Sequence, residues 1–422
     1  MIIDILKHTI VNVCKSVTYG MKKPDKKFFR RYLESVLEYR TTVLSRLWDR
    51  NEEDACTILS YFTRNLGKEV FFDLPAKVSS ILFRFIKKIE SYECACFDSV
   101  DLNKYSAKKM EGIKKVRDGS TGQIVNGYVL NGVSVRWIPL MMEREILEGE
   151  GEEKTTRFDI FTNQIGKLVS SFWKGYWILA DRLYDDVKKY NLLIARGLRF
   201  AIRMKTARCV TILDGWTEEW LKEWKWKKVS VGDLPTGHYE VTFTKLTKPC
   251  YIVVYKHPNC KKPIRVLSNE KDPNTVERYL KRWEIERIFR SGKQEYDFEK
   301  IGTQSAQKID NLIAIVQLCL GISAHVYGKI EREYHTEKES NQTLWKKQSA
   351  NTFKQQKAVI SATTFCQHMK RYLKQVSLTF NRNSIIGFIG EYMKKLKKMK
   401  YYLKRVTLSS WESSQLRLDF GC

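Results

Sequence analysis

The sequence predicts an α/β fold, with a sheet in the middle of the chain and helical regions on either side of it. Short apolar runs alternate there with helical patterns, and the alternation of strand, helix and strand favours a layered sheet with parallel neighbours. The stretch 206–265 has strand-like alternation, whereas residues 1–90 carry apolar side chains at helical spacing.

The chain has 422 residues, a length that favours several domains. Its net charge of +27 suggests a polyanionic partner, and nucleic acid is the first candidate because Lys and Arg release the counterions condensed on phosphates. An anionic membrane is the alternative, but no amphipathic anchor with a Trp/Leu face is evident, so we expect no membrane partner. The N-terminus lacks a long apolar run and the cysteines lack zinc-ligand spacing, so we expect a cytoplasmic protein.

The first elements can be placed in order along the chain. A helix is predicted at Ser79–Ile89, and a brief strand at Cys94–Phe97 ends at Asp98. Asn131-Gly132 separates two apolar runs, which predicts a two-residue hairpin. A helix, a strand, a helix and a strand are predicted next, at Asn163–Trp173, Trp177–Ala180, Asp185–Arg196 and Phe200–Met204.

The second half begins with the β-rich insertion, residues 206–265, whose strands are predicted at Tyr239–Phe243 and Tyr251–Tyr255. A long helix follows from Asp272, where the N-cap chemistry is favourable, to about Lys293.

The last part of the chain is predicted to be helical. The apolar stretch Leu312–Tyr327 is interrupted by Gln317 and is too short to span a bilayer, which favours a buried core helix. Residues 335–422 are basic and mostly helical in pattern.

The chemistry is expected on the long helix. At about 100° per residue, a stripe roughly 60° wide contains four functional side chains, Tyr279, Arg282, Glu286 and Lys293. A carboxylate can hold a hard metal ion, and Arg and Lys can hold phosphate oxygens, so this set suits a DNA strand with its scissile phosphate at a metal. A solvated helix face with paired charges is the alternative.

Two aspartates, Asp98 and Asp181, follow short apolar strands and would complete a set of three carboxylates with Glu286. Such a set binds Mg²⁺ or Mn²⁺, and two ions could activate a water and stabilise the leaving 3′ oxygen. Turn formation is the commoner role of a strand-end Asp. Asp101 and Asp118 are rivals for the first position, and Asp98 is preferred because it directly follows the apolar run.

The spacing of the four helix residues resembles the YREK signature of insertion-sequence transposases of the DDE superfamily, in the group named after insertion sequence four: Tyr279, Arg282, Glu286 and Lys293. Ile178–Arg182 resembles that group's second-aspartate motif, and Phe97–Asp101 resembles the first. The family generally has Thr near its first aspartate, where this chain has Ser99 and Val100. The resemblance covers about residues 90–330.

The resemblance implies a ribonuclease-H-like mixed sheet with flanking helices, with Asp98 and Asp181 on adjacent strands and Glu286 on the helix after the insertion. It implies metal-dependent cleavage at transposon ends and strand transfer into target DNA, with two Mg²⁺ or Mn²⁺ ions held by these carboxylates. Tyr279, Arg282 and Lys293 would grip the DNA strand near the cut.

The partners implied are double-stranded DNA, as terminal inverted repeats and target, and a second copy of the chain in a synaptic complex. Such a protein would work in the bacterial cytoplasm, associated with the nucleoid. A hairpin route, which the sequence does not distinguish from others, needs a base held on an aromatic ring. The candidates are the insertion tryptophans, for which core packing is the commoner role: Trp216, Trp220, Trp224 and Trp226.

We therefore predict four regions: a helical DNA-binding region at 1–90, a catalytic core at 91–205 and 266–334, the insertion at 206–265, and a basic helical region at 335–422. Two alternatives remain open from sequence. One is a metal-dependent nuclease of the same fold without transposition, and the other is a catalytically dead, transposase-derived DNA-binding protein.

Overall fold

The structure, a computed structural model, describes residues 2–345 apart from positions 40, 44–54, 88–93, 106, 108, 120, 147–155, 172–175, 217–224, 257–261 and 301. The predicted helices between residue 346 and the C-terminus lie outside the described residues.

Four helices precede the sheet: α1 (Ile2–Val17), α2 (Lys23–Tyr39), α3 (Ala55–Leu66) and α4 (Leu74–Lys87). Apolar residues on these helices are buried in one core, as their helical spacing predicts.

The long helix α9 (Ala306–Trp345) passes through this core and packs on α4. The described residues contain one helix that is apolar and long enough to cross a membrane, Ala306–Val326, and most of that segment is buried inside the protein. At Gly321, an added Cβ would lie 2.1 Å from Leu82 Cδ2, so the absence of a side chain permits the close approach of α4 and α9. The predicted buried core helix is confirmed.

One mixed sheet of eleven strands forms the centre of the molecule. Its strands are β1 (Cys94–Asn103), β2 (Lys114–Arg117), β3 (Ile124–Val135), β4 (Ile138–Arg144), β5 (Trp177–Ala180), β6 (Arg199–Arg203), β7 (Cys209–Trp216), β8 (Lys228–Ser230), β9 (Gly237–Thr242), β10 (Cys250–Tyr255) and β11 (Ile264–Ser268). Between β4 and β5 lies α5 (Arg157–Ser171), and between β5 and β6 lies α6 (Val187–Ala195).

Five of these strands, in the spatial order β4-β3-β1-β5-β6, have the ribonuclease-H-like arrangement. The pairs β4–β3 and β3–β1 are antiparallel, and β1, β5 and β6 run parallel. The predicted fold class and the parallel neighbours around α6 are therefore confirmed.

The strands of the insertion extend this same sheet. Strand β11 pairs antiparallel with β6, and β10, β9, β7 and β8 follow outward from it. Hydrogen-bonded pairing thus joins the predicted β-rich stretch directly to the edge of the parallel strands. The predicted strands at Tyr239–Phe243 and Tyr251–Tyr255 correspond to β9 and β10.

The predicted Asn131-Gly132 hairpin is wrong. Strand β3 runs through both residues, and the chain turns instead at Arg136 and Trp137, which have φ values of 46° and 68°. Packing explains the Asn-Gly pair: a Cβ at position 132 would lie 2.5 Å from Phe289 Cζ, so the glycine admits a helix against the strand. The turn propensity of the dipeptide is overridden by this close approach.

The first strand is also longer than predicted. Residues Asp98 to Asn103 continue β1 because they pair with β3, so Asp98 lies inside a ten-residue strand and not at its end. The predicted long helix is divided into α7 (Thr275–Leu280) and α8 (Trp283–Glu295). Arg282 lies at the break between them.

Candidate active site

The two predicted aspartates lie side by side on neighbouring parallel strands. Phe97 of β1 is paired with Ala180 of β5. Asp98 and Asp181 directly follow these two paired residues. Strand β5 ends there, and its carboxyl end is where sheets of this class place functional groups. Chain topology therefore brings together two residues that are far apart in sequence.

Of the rival carboxylates, Asp98 is the one that faces Glu286. Its Oδ1 accepts a hydrogen bond from the backbone N–H of Ser99 at 2.8 Å, and its Oδ2 accepts one from Arg282 at 2.9 Å. Asp101 is three residues further along a regular strand, so the alternation of side chains turns it to the other face. Asp118 accepts hydrogen bonds from the hydroxyls of Tyr105 and Thr121 beside the β2–β3 turn.

Arg282 is the centre of the site. Its two terminal nitrogens donate to Asp98 Oδ2 at 2.9 Å and to Glu286 Oε1 at 2.5 Å. Its Nε donates to the hydroxyl of Tyr279 at 3.3 Å, and that hydroxyl donates to Asp181 Oδ1 at 3.5 Å. One guanidinium thus connects all three predicted carboxylates, two of them directly and Asp181 through Tyr279.

The single exposed stripe expected from an unbroken helix is not formed. Tyr279 is 2% exposed and Arg282 is 3% exposed, so both contact the carboxylates and not solvent. Lys293 lies further along α8 and forms an ion pair with Glu299 at 2.8 Å, apart from the Arg282 network. Five of the six predicted residues therefore meet, and Lys293 does not join them.

Burial and crowding of negative charge control the electrostatics. The pKa of Asp98 is raised to about 7, chiefly because the carboxyl is buried; Arg282 lowers this pKa, and the neighbouring carboxylates of Glu286 and Asp181 raise it. Although burial disfavours the charge of Arg282, Tyr279, Asp98 and Glu286 raise the pKa of its guanidinium above the ordinary value. The site therefore holds more negative charge than one arginine neutralises.

The donor chemistry fits a hard divalent cation, because the three converging side chains offer only oxygen ligands. Within the described part of the chain, however, no three Asp, Glu, His or Cys side chains are spaced to hold a metal ion. The place between Asp98 and Glu286 is taken by the guanidinium of Arg282, which acts as the cation of the site.

A basic cleft begins beside Asp181. It has a volume of about 200 Å³, and its lining includes Arg182, Arg203 and Lys205. None of these three side chains forms an ion pair with another described residue. An adjoining cleft of about 350 Å³ shares Lys205 and adds Lys228. The prediction from sequence missed these cations, although Arg182 directly follows Asp181 and Lys205 follows β6.

Of the four insertion tryptophans, the structure describes the side chain of Trp226. Trp226 is 69% exposed in the turn before β8, with a left-handed φ of 67°, so this one does not pack in the core. Trp220, Trp224 and the side chain of Trp216 lie outside the described residues.

Residues 152–322 match the family model described as "Transposase DDE domain". This segment is therefore similar to a transposase DDE domain. The matched segment includes Asp181 and Glu286, whereas Asp98 precedes it. The match supports a DDE transposase, an enzyme of the class that hydrolyses or transfers polynucleotide strands, and therefore supports DNA binding. Transposases of this kind generally use divalent metal ions.

Among solved structures, the chain is similar to the "Cryo-EM structure of piggyBac transposase synaptic complex with hairpin DNA". The identity is 12%, the match covers 92% of this chain and 82% of that chain, and the TM-score is 0.48. No curated protein matches the chain.

Proposed function

We propose that this protein is an insertion-sequence transposase of the group with the YREK signature, which cleaves transposon ends and transfers the strand into target DNA. One observation carries the proposal. Asp98 and Glu286 both bind the buried guanidinium of Arg282, and Asp181 is connected to it through the hydroxyl of Tyr279, beside a basic cleft.

In this proposal the three carboxylates are the catalytic residues and would hold Mg²⁺ or Mn²⁺. The proposed mechanism uses two such ions. When bound, such ions activate water and stabilise the leaving oxygen of an in-line displacement. The chain's own contribution is to position the oxygens. Adjacent parallel strands position Asp98 and Asp181, and α8 carries Glu286 to them.

The basic cleft is proposed to bind the DNA backbone next to the cut. Arg182, Arg203 and Lys205 form no ion pair with a described residue and can neutralise phosphates, and an Arg can donate two hydrogen bonds to one phosphate. Transposon terminal repeats and target DNA are the proposed ligands. Tyr279, Arg282 and Lys293 stay proposed DNA contacts, although in this structure each of them contacts a protein group.

The remaining expectations are proposals of the same kind. The helices of residues 1–90 and the basic residues 335–422 would bind terminal repeats and support a homodimer in a synaptic complex. The catalytic core would comprise residues 91–205 and 266–334, joined by the insertion at 206–265. The setting would be the bacterial cytoplasm, at the nucleoid.

A strand-transfer assay with a pre-cut element end and a plasmid target tests the proposal. Asp181→Asn and Glu286→Gln should each lower Mg²⁺-dependent cleavage by at least about 1000-fold and leave binding of the end intact, because the lost oxygens act on the reacting phosphate. Asp101→Asn is the matched control, since it removes a carboxylate from the other face of the same strand, and it should keep activity.

The outcomes separate the alternatives. Mg²⁺-dependent cleavage retained in Asp181→Asn would remove the central claim. Cleavage by the unaltered protein without strand transfer would favour a nuclease of the same fold. End binding without any cleavage would favour a dead, transposase-derived DNA-binding protein.

A further inference from the structure

We infer that Arg282 and the divalent cation compete for the same carboxylates, so that the guanidinium holds Asp98 and Glu286 together until the ion displaces it. This inference rests on the proposed function, because it assumes that these carboxylates bind an ion. It assigns Arg282 a role in gating the ion site that is separate from any contact with DNA.

The hydrogen bonds of Asp98 are the first argument. Its Oδ1 already accepts from the backbone N–H of Ser99, and its Oδ2 accepts from Arg282 at 2.9 Å. The first of these contacts belongs to the strand's own backbone, so Oδ2 is the oxygen that can be released. An ion that bridges Asp98 Oδ2 and Glu286 would take the place that the guanidinium occupies.

The bridging geometry is the second argument. Arg282 spans two carboxylates with its two terminal nitrogens, and Glu286 Oε1 is held at 2.5 Å. A dication between the same oxygens would stand within a few ångströms of a positive guanidinium, and the two charges would repel strongly in a buried site. The two cations are thus alternatives for one place.

Balance of charge is the third argument. Three neighbouring carboxylates without any cation would repel one another, and burial would add to the cost. Arg282 is 3% exposed, and its three hydrogen bonds given by the structure all go to this cluster. Its position therefore supplies the counter-charge that keeps the ligands assembled when no ion is bound.

Displacement of Arg282 by the ion would also explain how this residue can be buried here and yet contact DNA. The YREK resemblance implies that Arg282 grips DNA, yet here it is buried against protein oxygens. A guanidinium released by the ion lies at the break between α7 and α8, next to Asp98 within β1 and Asp181 at the end of β5. It is then free to bind a phosphate of the substrate.

Calorimetric titration of the full chain with Mn²⁺, without DNA, tests the competition. Arg282→Met removes the guanidinium and should bind Mn²⁺ at least about 10-fold more tightly than the unaltered protein, since no charge has to be displaced. It should also show a lower Tm without the ion and a larger rise in Tm with it. Arg290→Met is the matched control: it removes an exposed arginine from α8, the helix that follows Arg282, and its Mn²⁺ affinity should not change.

Arg282→Lys keeps the positive charge but cannot bridge both carboxylates, so it should bind Mn²⁺ more tightly than the unaltered protein. This variant replaces Arg282→Met in the test if Arg282→Met does not fold. Equal or weaker Mn²⁺ binding by the folded Arg282 variants would overturn the competition. If the competition failed but Glu286→Gln abolished Mn²⁺ binding, the proposed function would still hold, because the carboxylates would still bind the ion. If no variant bound Mn²⁺ at all, the ion site itself, and the proposed function with it, would fail.

Discussion

The acidic cluster around Arg282 and the basic cleft beside Asp181 lie next to each other, yet they handle charge in opposite ways. In the cluster, Asp98 and Arg282 are buried and bonded to each other. In the cleft, Arg182 and Lys205 are exposed and form no ion pair with a described residue. An unpaired charge is costly to bury, so the buried groups of the cluster are paired within the protein. Exposed charges are solvated and remain available to bind a ligand.

This difference predicts opposite responses to substitution. Removing one partner of a buried ion pair costs about 3–5 kcal/mol, because the other charge is left uncompensated. Removing an exposed cation changes stability little but weakens the binding of a polyanion. The cluster should therefore control catalysis and stability, and the cleft should control DNA affinity.

Among the following three substitution experiments, the largest effect is expected in the cleft. The double substitution Arg203→Ala and Lys205→Ala should weaken DNA binding by about 10- to 100-fold, because two phosphate contacts are lost. The slope of log K against log salt should become less negative by ~0.9 per contact, and the Tm should stay unchanged. Titrations at several salt concentrations measure both quantities.

The control for that experiment removes two exposed cations, Arg196 and Lys248, which precede the starts of β6 and β10, whereas Arg203 and Lys205 lie at and after the end of β6. Their replacement by Ala makes the same change in net charge. An equal loss of affinity in both double variants would mean that overall charge, and not the cleft, binds DNA.

An intermediate effect is expected where the helix that carries Glu286 contacts the sheet. In Gly132→Ala the new Cβ would lie 2.5 Å from Phe289 Cζ, so α8 would have to move. We expect a loss of about 1–3 kcal/mol in the free energy of unfolding and a fall in cleavage. Denaturant unfolding and the cleavage assay measure the two effects.

Gly166→Ala is the control, because an added Cβ there meets no atom within 4 Å and the residue lies inside α5. Alanine at that position should stabilise the protein by about 0.5–1 kcal/mol. Unchanged stability in Gly132→Ala would mean that the close packing of α8 on β3 is not what positions Glu286.

The smallest effect concerns a buried cation outside both regions. The Lys189 ammonium lies 4.3 Å from the centroid of the Tyr184 ring, and burial lowers its pKa to about 8 from an ordinary value of 10.5. Between these two values the unfolded chain binds more protons than the folded chain, so this group makes stability rise with pH.

Lys189→Met should therefore be more stable than the unaltered protein at pH 7, by about 1 kcal/mol. The difference should shrink as the pH approaches 10, where the lysine is neutral in the folded protein. Unfolding curves at both pH values measure it, with the exposed Lys188→Met as the control. A pH-independent difference would show that packing, and not charge, is responsible.

Local sequence patterns were sufficient for several features of the fold. The structure contains the helices expected from the spacing in the described part of residues 1–90, the apolar helix within Ala306–Val326 and the strand before Asp181. Each depends on side-chain period and on nearby capping or turn residues, which act over a few positions. The candidate carboxylates Asp98, Asp181 and Glu286 could be named in the same way.

What the sequence by itself determined, then, was the elements, their order and the chemical types of the candidate site residues. Only the tertiary structure decided that Asn131 and Gly132 continue a strand, that the insertion joins the edge of β6, and that Arg282 is buried among acids. The reason is that strand pairing, close helix contacts and the pairing of buried charges join residues far apart in the chain. Such contacts override the local propensities from which a sequence is interpreted.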